Sequence, residues 1–194
     1  MPHKNRVTPY GEIVVSPLRC AWMGNRGCLH EGYDIVRPWN GKRWITCALE
    51  FRGWVAPKWD PGRWTALFFH DEAVALAAGH RPCALCRRAD YVRYCDALGM
   101  KGADAIDARL HGDRLDGRRK RLHTLLWSEV PAGVFVETGD GPALVAGDGL
   151  RSWTAEAGYG PTFDRPIGGR ATVITPLTNV LAVRAGYESR QDSA

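Results

Sequence analysis

Hydrophobic positions come in short bursts through the first half of the chain and in alternating runs through the second. Residues 12–15 and 65–69 read as brief strands. Residues 44–51 alternate bulky and smaller side chains as a half-buried strand does, with Cys47 on the face opposite Thr46 and Ala48. Ser16-Pro17 is a helix start signal and predicts one or two turns over 18–23, stopped by Gly24. A glycine-turned loop runs from Asn25 to His30, and residues 52–64, rich in Gly, Pro and Trp, predict a longer one. The alanine-rich run 72–78 then reads as a helix. Asp71 caps its start by accepting from free N–H groups, and Gly79 ends it because glycine tolerates a left-handed turn. Pro82 restarts the chain as a first-turn residue, which puts Cys83 and Cys86 in the first turn of the next helix. That helix runs over 84–98, with Leu85, Ala89, Val92 and Leu98 as its buried stripe and Gly99 as its stop.

Further along, 103–110 and 113–127 read as two more helices. The second carries Arg114, Arg118, Arg119, Lys120, Arg121 and His123, and Arg119, His123 and Trp127 fall four apart on one face. Alternation over 134–137 and 143–146 around Gly139-Asp140-Gly141 predicts a hairpin. Residues 171–174 predict a strand, and Thr175-Pro176 opens a helix over 177–185 that Gly186 stops. The expected fold class is α+β: an N-terminal module over 1–100, and over 101–194 a smaller part of basic helices, hairpin and strand-helix packed on it.

A chain of 194 residues, 45% hydrophobic, can bury one good core or two small ones. No apolar run approaches the length that crosses a bilayer, and the first residues lack the apolar stretch of a secretion signal, so no membrane partner and a cytoplasmic location are expected. Six cysteines in a reducing compartment, two of them spaced C-x2-C, favour metal ligation over disulfides. The net charge of +5 is uneven, with 14 Lys and Arg against 9 Asp and Glu in residues 1–100 and 12 against 12 in the remainder. Such a field suits an anionic partner. Residues 22–64 hold six of the eight tryptophans, which serve a small core as buried area or stack on bases if exposed.

The chemistry that stands out is zinc. Cys83 and Cys86, placed at a helix start where free N–H groups favour thiolate, can bite one ion. Structural zinc takes four ligands, so another pair must come from elsewhere. Cys47 is the nearest upstream cysteine, and His30 is the expected fourth ligand, with Cys28 and then His80 behind it. Arg87, Arg88, Arg118, Arg119 and Arg121 are the candidate phosphate contacts to DNA or RNA. Asp71, Glu72 and Glu50 are carboxylates near the expected site, while Cys20 and Cys95 read as small buried hydrophobes. No nucleophile-elbow serine, phosphate-binding glycine loop or H-E-x-x-H is present.

From Phe69 to Cys86, an alanine-rich helix runs without a gap into Ala77-Ala78-Gly79-His80-Arg81-Pro82-Cys83-Ala84-Leu85-Cys86. This stretch resembles the distal half of the N-terminal zinc domain of the Ada DNA-repair proteins. The resemblance covers about a tenth of the chain and implies a zinc-centred module over 1–100. It also implies alkyl transfer from a DNA phosphotriester to a zinc-bound cysteine, here Cys47. The chain departs from that family in one respect: the family's other two ligands are a close pair of upstream cysteines, and Cys47 has no cysteine three or four residues away. More loosely, the whole chain resembles a bacterial protein group that carries Met23-Gly24-Asn25-Arg26-Gly27, His30 and a final Ile174-Thr175-Pro176, a likeness that bears on architecture and not on a reaction. Two other readings of the same residues are a zinc enzyme acting on a small molecule, with the tryptophans and Tyr33 lining its pocket, and a zinc-stapled interaction module without chemistry.

Overall fold

The short strands of the first half recruit partners far away in the chain. The computed structural model describes residues 3–54, 56 and 59–189. Arg6–Val7 (β1) and Ile13–Val14 (β2) pair antiparallel. Where one or two helical turns were expected, Trp22–Asn25 forms strand β3. The reason is burial on both sides: Trp22 enters the main core while Met23 packs among cysteines on the other face, and only an extended chain sends neighbours opposite ways. His30–Glu31 (β4) and Asp34–Ile35 (β5) make a small hairpin. Ile45–Cys47 (β6) and Leu67–Phe69 (β7) then flank β3 on its two sides.

Between them Gly24 is obligatory. A Cβ there would lie 2.1 Å from the Ile45 carbonyl oxygen and 2.9 Å from the Phe69 ring.

Glu72–Ala77 (α1) forms as expected, with the Asp71 carboxylate accepting from the Val74 N–H at 2.8 Å. All six of its residues are buried. Gly79 follows with φ +93°, and its missing side chain leaves room for that of Arg114, which a Cβ would meet at 2.7 Å. Pro82 does not restart a helix. Arg81–Pro82 (β8) is a parallel edge strand beside β6, a position that suits a residue with no N–H to give. The first sheet therefore has the order β2-β1-β7-β3-β6-β8.

Helix α2 (Arg88–Leu98) starts later than its periodicity predicts, and its buried face is Asp90, Tyr91 and Tyr94. Leu85 is 70% exposed and Val92 also faces out, because buried polar bonds set the face: the Tyr94 hydroxyl donates to Asn179 at 2.5 Å. Helix α3 (Ala103–Arg114) ends where a second basic helix was expected. Instead Leu115–Asp116 (β9) and Arg119–Lys120 (β10) form a hairpin, its two-residue loop opened by Gly117 at φ +59°. Arg119, His123 and Trp127 thus share no helical face.

His123–Leu126 (β11) enters a second, fully antiparallel sheet with Phe135–Thr138 (β12), Gly141–Ala146 (β13), Gly149–Thr154 (β14), Gly158–Asp164 (β15) and Arg170–Val173 (β16). Its order is β11-β16-β12-β13-β14-β15, and it contains the expected hairpin as β12 and β13. Leu177–Arg184 (α4) packs on α2 and α3. The main core draws Val7, Trp22, Leu67, Phe69 and the alanines of α1 together with Phe135, Leu144, Trp153 and Ile174. Among the described residues no helix is long and apolar enough to cross a membrane.

Candidate metal centre

Strand pairing brings the sulfurs together. In the parallel register of β6 and β8, Thr46 sits opposite Pro82, and the Cys83 N–H donates to the Thr46 carbonyl at 2.9 Å. The residue after each of these positions is thereby fixed beside the other strand, Cys47 next to Cys83. Residues 83–87 then turn back, closed by the Arg87 N–H donating to the Cys83 carbonyl at 3.1 Å, and this returns Cys86 to the same point. The Sγ atoms of Cys47, Cys83 and Cys86 all lie within 4.8 Å of one another. Tetrahedral zinc with bonds near 2.3 Å needs sulfurs about 3.8 Å apart, so small adjustments seat an ion. The knuckle lies in a turn ahead of α2 and not in its first turn.

Electrostatics favour a cation here. The neighbouring Cys83 and Cys86 sulfurs, and then burial, push the Cys47 thiol up. Cys83 is drawn down because the Cys47 and Cys86 thiols donate to it, with the Cys86 and Leu85 N–H groups adding to the effect. The Leu85 N–H to Sγ distance is 3.4 Å. The cluster therefore concentrates negative charge on one sulfur while its neighbours hold protons that a divalent ion can displace. Met23, Ile45, Trp64, Ala66 and Phe68 pack around it. Trp54 stacks on Trp64 with centroids 6.0 Å apart and is 57% exposed.

His30 does not join the sulfurs. Its Nδ1 lies 2.6 Å from Thr65 Oγ1 and its Nε2 3.3 Å from the Asp60 carbonyl, so the imidazole is engaged at both nitrogens in a loop of its own. The two other ligands considered also lie elsewhere. The Cys28 thiol faces the His30 carbonyl at 3.9 Å, and His80, fully buried, accepts from Arg26 at 3.2 Å. Among the described residues no fourth His, Cys, Asp or Glu ligand atom completes the group.

The candidate phosphate contacts separate into two kinds. Arg87 is buried; it pairs with Glu72 at 2.7 Å and Asp90 at 2.8 Å and stacks 3.9 Å from the Trp22 ring, so it is not offered to a ligand in solution. Its network extends to the Tyr187 hydroxyl, which donates to Glu72 at 2.7 Å, and so ties α1, the knuckle and the end of the chain together. Arg88, Arg118 and Arg119 are exposed, as is Arg121, which lies 3.5 Å from Asp116. The hairpin that carries Arg118 and Arg119 escaped the sequence reading, although Asp116-Gly117 is a turn signal.

Three convergent cysteine sulfurs on an α+β scaffold define a protein with a site able to hold a soft or borderline metal ion. Compared with family models, with curated proteins and with solved structures, the chain has no match.

Proposed function

We propose that this chain is a zinc-thiolate protein that works on or near nucleic acid, with the ion held by Cys47, Cys83 and Cys86 and the fourth position taken by a ligand from solution. The observation that carries the reading is the convergence of three sulfurs from a strand and a knuckle some 35 residues further along the chain. Bound zinc would keep thiolates deprotonated at neutral pH and supply a Lewis-acid position. The protein's part is to hold the sulfurs by strand register, to wall them with Met23, Trp64 and Phe68, and to present Arg88 beside the knuckle to phosphate.

In its most concrete form, which rests on the resemblance to the Ada domain, a thiolate attacks the methyl carbon of a phosphotriester. The S–C bond forms, the C–O bond breaks, and the phosphodiester leaves with the electron pair. Cys47 is the acceptor that the resemblance implies; Cys86 is the least buried of the three sulfurs. A zinc enzyme acting on a small molecule is the second reading, favoured by the three-ligand shell, since catalytic zinc keeps one position for water or substrate.

Metal analysis of reduced protein should find one zinc per chain, lost in C83S, with protons released on loading. Cobalt in its place should show thiolate charge-transfer bands that shift when azide or imidazole is added. Intact mass after incubation with methyl-phosphotriester DNA, followed by peptide mapping, should show one methyl on Cys47 or Cys86. Folded protein that takes up no metal ends the zinc reading; a metal-loaded protein that gains no methyl leaves the small-molecule reading in place.

A further inference from the structure

Three stretches of chain deliver cations to one cavity that no cysteine lines. Arg26 follows β3, Arg114 closes α3, Arg118 and Arg119 lie in the β9–β10 hairpin, and Lys120 ends it. With Trp39 and Trp44 they line a space of about 430 Å³, in which Glu12 is the one carboxylate among the lining residues. The interior cations are not paired. Arg26, 1% exposed, gives Nη1 to the Gly11 carbonyl at 2.8 Å and Nε to His80, and its Nη2 has no partner. That Nη2 borders the lining residue Gly11, whose Cβ, if it had one, would stand 3.5 Å from it. Arg114, also fully buried, donates to the Gly79 and Lys42 carbonyls, leaving Nε without a partner. Lys120 donates to the Ala77 carbonyl.

Both guanidiniums lie over the Trp44 ring, at 4.0 and 3.8 Å from its centroid. Among the described residues none of the three forms an ion pair with a carboxylate. Burial, and for Arg26 the charge of Arg114, pulls both guanidiniums down to about 9, and burial pulls Lys120 well below its ordinary range. Carbonyl oxygens and an aromatic face soften such a cluster but do not neutralise it; a bound anion does.

We propose that this cavity binds a nucleotide through its phosphate monoester, the phosphate facing Arg26, Arg118, Arg119 and Lys120 and the base stacking on Trp39. The space is several times that of a phosphate ion and within the range of organic-ligand sites. Trp39 is half-buried, 5.9 Å from Trp44, and offers an aromatic face beside the cations. The site contains no sulfur ligand, so it stands apart from the zinc reading.

Tryptophan fluorescence and calorimetry on the full chain would test it with inorganic phosphate, adenosine, adenosine 5′-monophosphate, and a short single strand with either a 5′-phosphate or a 5′-hydroxyl. Adenosine monophosphate should bind at least tenfold more tightly than adenosine and lose affinity as salt rises. The exposed double variant R118A/R119A, which leaves the core untouched, should weaken it about tenfold, as loss of charge-assisted contacts does. W39A should bring the mononucleotide down to the affinity of inorganic phosphate. Tighter binding of the 5′-phosphorylated strand than of the mononucleotide places the ligand at a strand end, and the reverse places it among free nucleotides. Equal affinity for adenosine and its monophosphate, no binding of any phosphate compound, or an unchanged R118A/R119A variant overturns the proposal.

Discussion

Arg87 shows how far a side chain's role depends on what folds over it. In sequence it sits next to Arg88 as half of a basic pair; in space it is an interior cation matched to Glu72 and Asp90. Removing Glu72 takes one of two carboxylates from Arg87, which keeps Asp90, and takes the acceptor from the Tyr187 hydroxyl. We therefore expect Glu72→Ala to lower unfolding free energy by about 2–3 kcal/mol in urea titrations, and Arg88→Ala to change it little. His80 carries a pH prediction. Burial first, then Arg26, Arg114 and Lys120, hold its imidazole neutral, with a pKa well below the ordinary range. The unfolded chain takes up a proton below about pH 6.5 and the folded chain does not. The stability contributed by neutral His80 is thus fully present above about 6.5 and is lost as pH falls from there toward the folded value, by about 1.4 kcal/mol per pH unit. Denaturant titrations from pH 7.5 to 5.5 should show a loss of about 1.4 kcal/mol in all, steepening toward that slope at the acid end, and His80→Gln should remove it. Neither residue's fate was legible from sequence, because the groups around His80 come from positions 26, 114 and 120. His30 was misread for a related reason: a loop histidine near cysteines looks available until Thr65 and Asp60 are seen to occupy its nitrogens.

Strands β3, β6 and β8 act as one unit, and Gly24 is its tightest point. Gly24→Ala would drive a methyl into the Ile45 carbonyl, separate β3 from β6 and shift Cys47. The expected outcome is a loss of about 3 kcal/mol together with weaker uptake of the proposed zinc ion, measured by denaturation and by a chromophoric chelator competition. A matching change at Gly168, which has open space around it, should do neither. Elements whose signals are local were read correctly: the Asp71 cap of α1, the β12–β13 hairpin and α4. The failures fall where a distant partner decides. Residues 18–23 carry a helix start signal, yet Trp22 and Met23 are needed on opposite faces of a sheet. The run of arginines after Arg114 looks helical by composition, but a glycine turn folds it back on itself.

The two six-stranded sheets and α1 share the largest core, with Phe135, Leu144, Trp153 and Ile174 packed among residues from the first half, while α2, α3 and α4 meet α1 in a second cluster of Leu76, Tyr94, Ile106, Leu110 and Ala182. Polar ties cross the same boundary: the Tyr159 hydroxyl donates to Asp71 at 2.5 Å, and Asn179 donates to the Leu76 and His80 carbonyls. Tryptophan fluorescence and far-ultraviolet circular dichroism should therefore report one coincident unfolding transition, and a fragment of residues 1–100 should not fold alone. Two resolved transitions, or a folded fragment, would contradict this. The sheet's last strand has one more consequence. β8 is only two residues long, and one of them is proline, so its open side offers an intruding chain almost nothing to dock on. The stretch that gathers the sulfurs thus also closes this margin of the sheet, leaving little backbone on that side on which a second chain could stack.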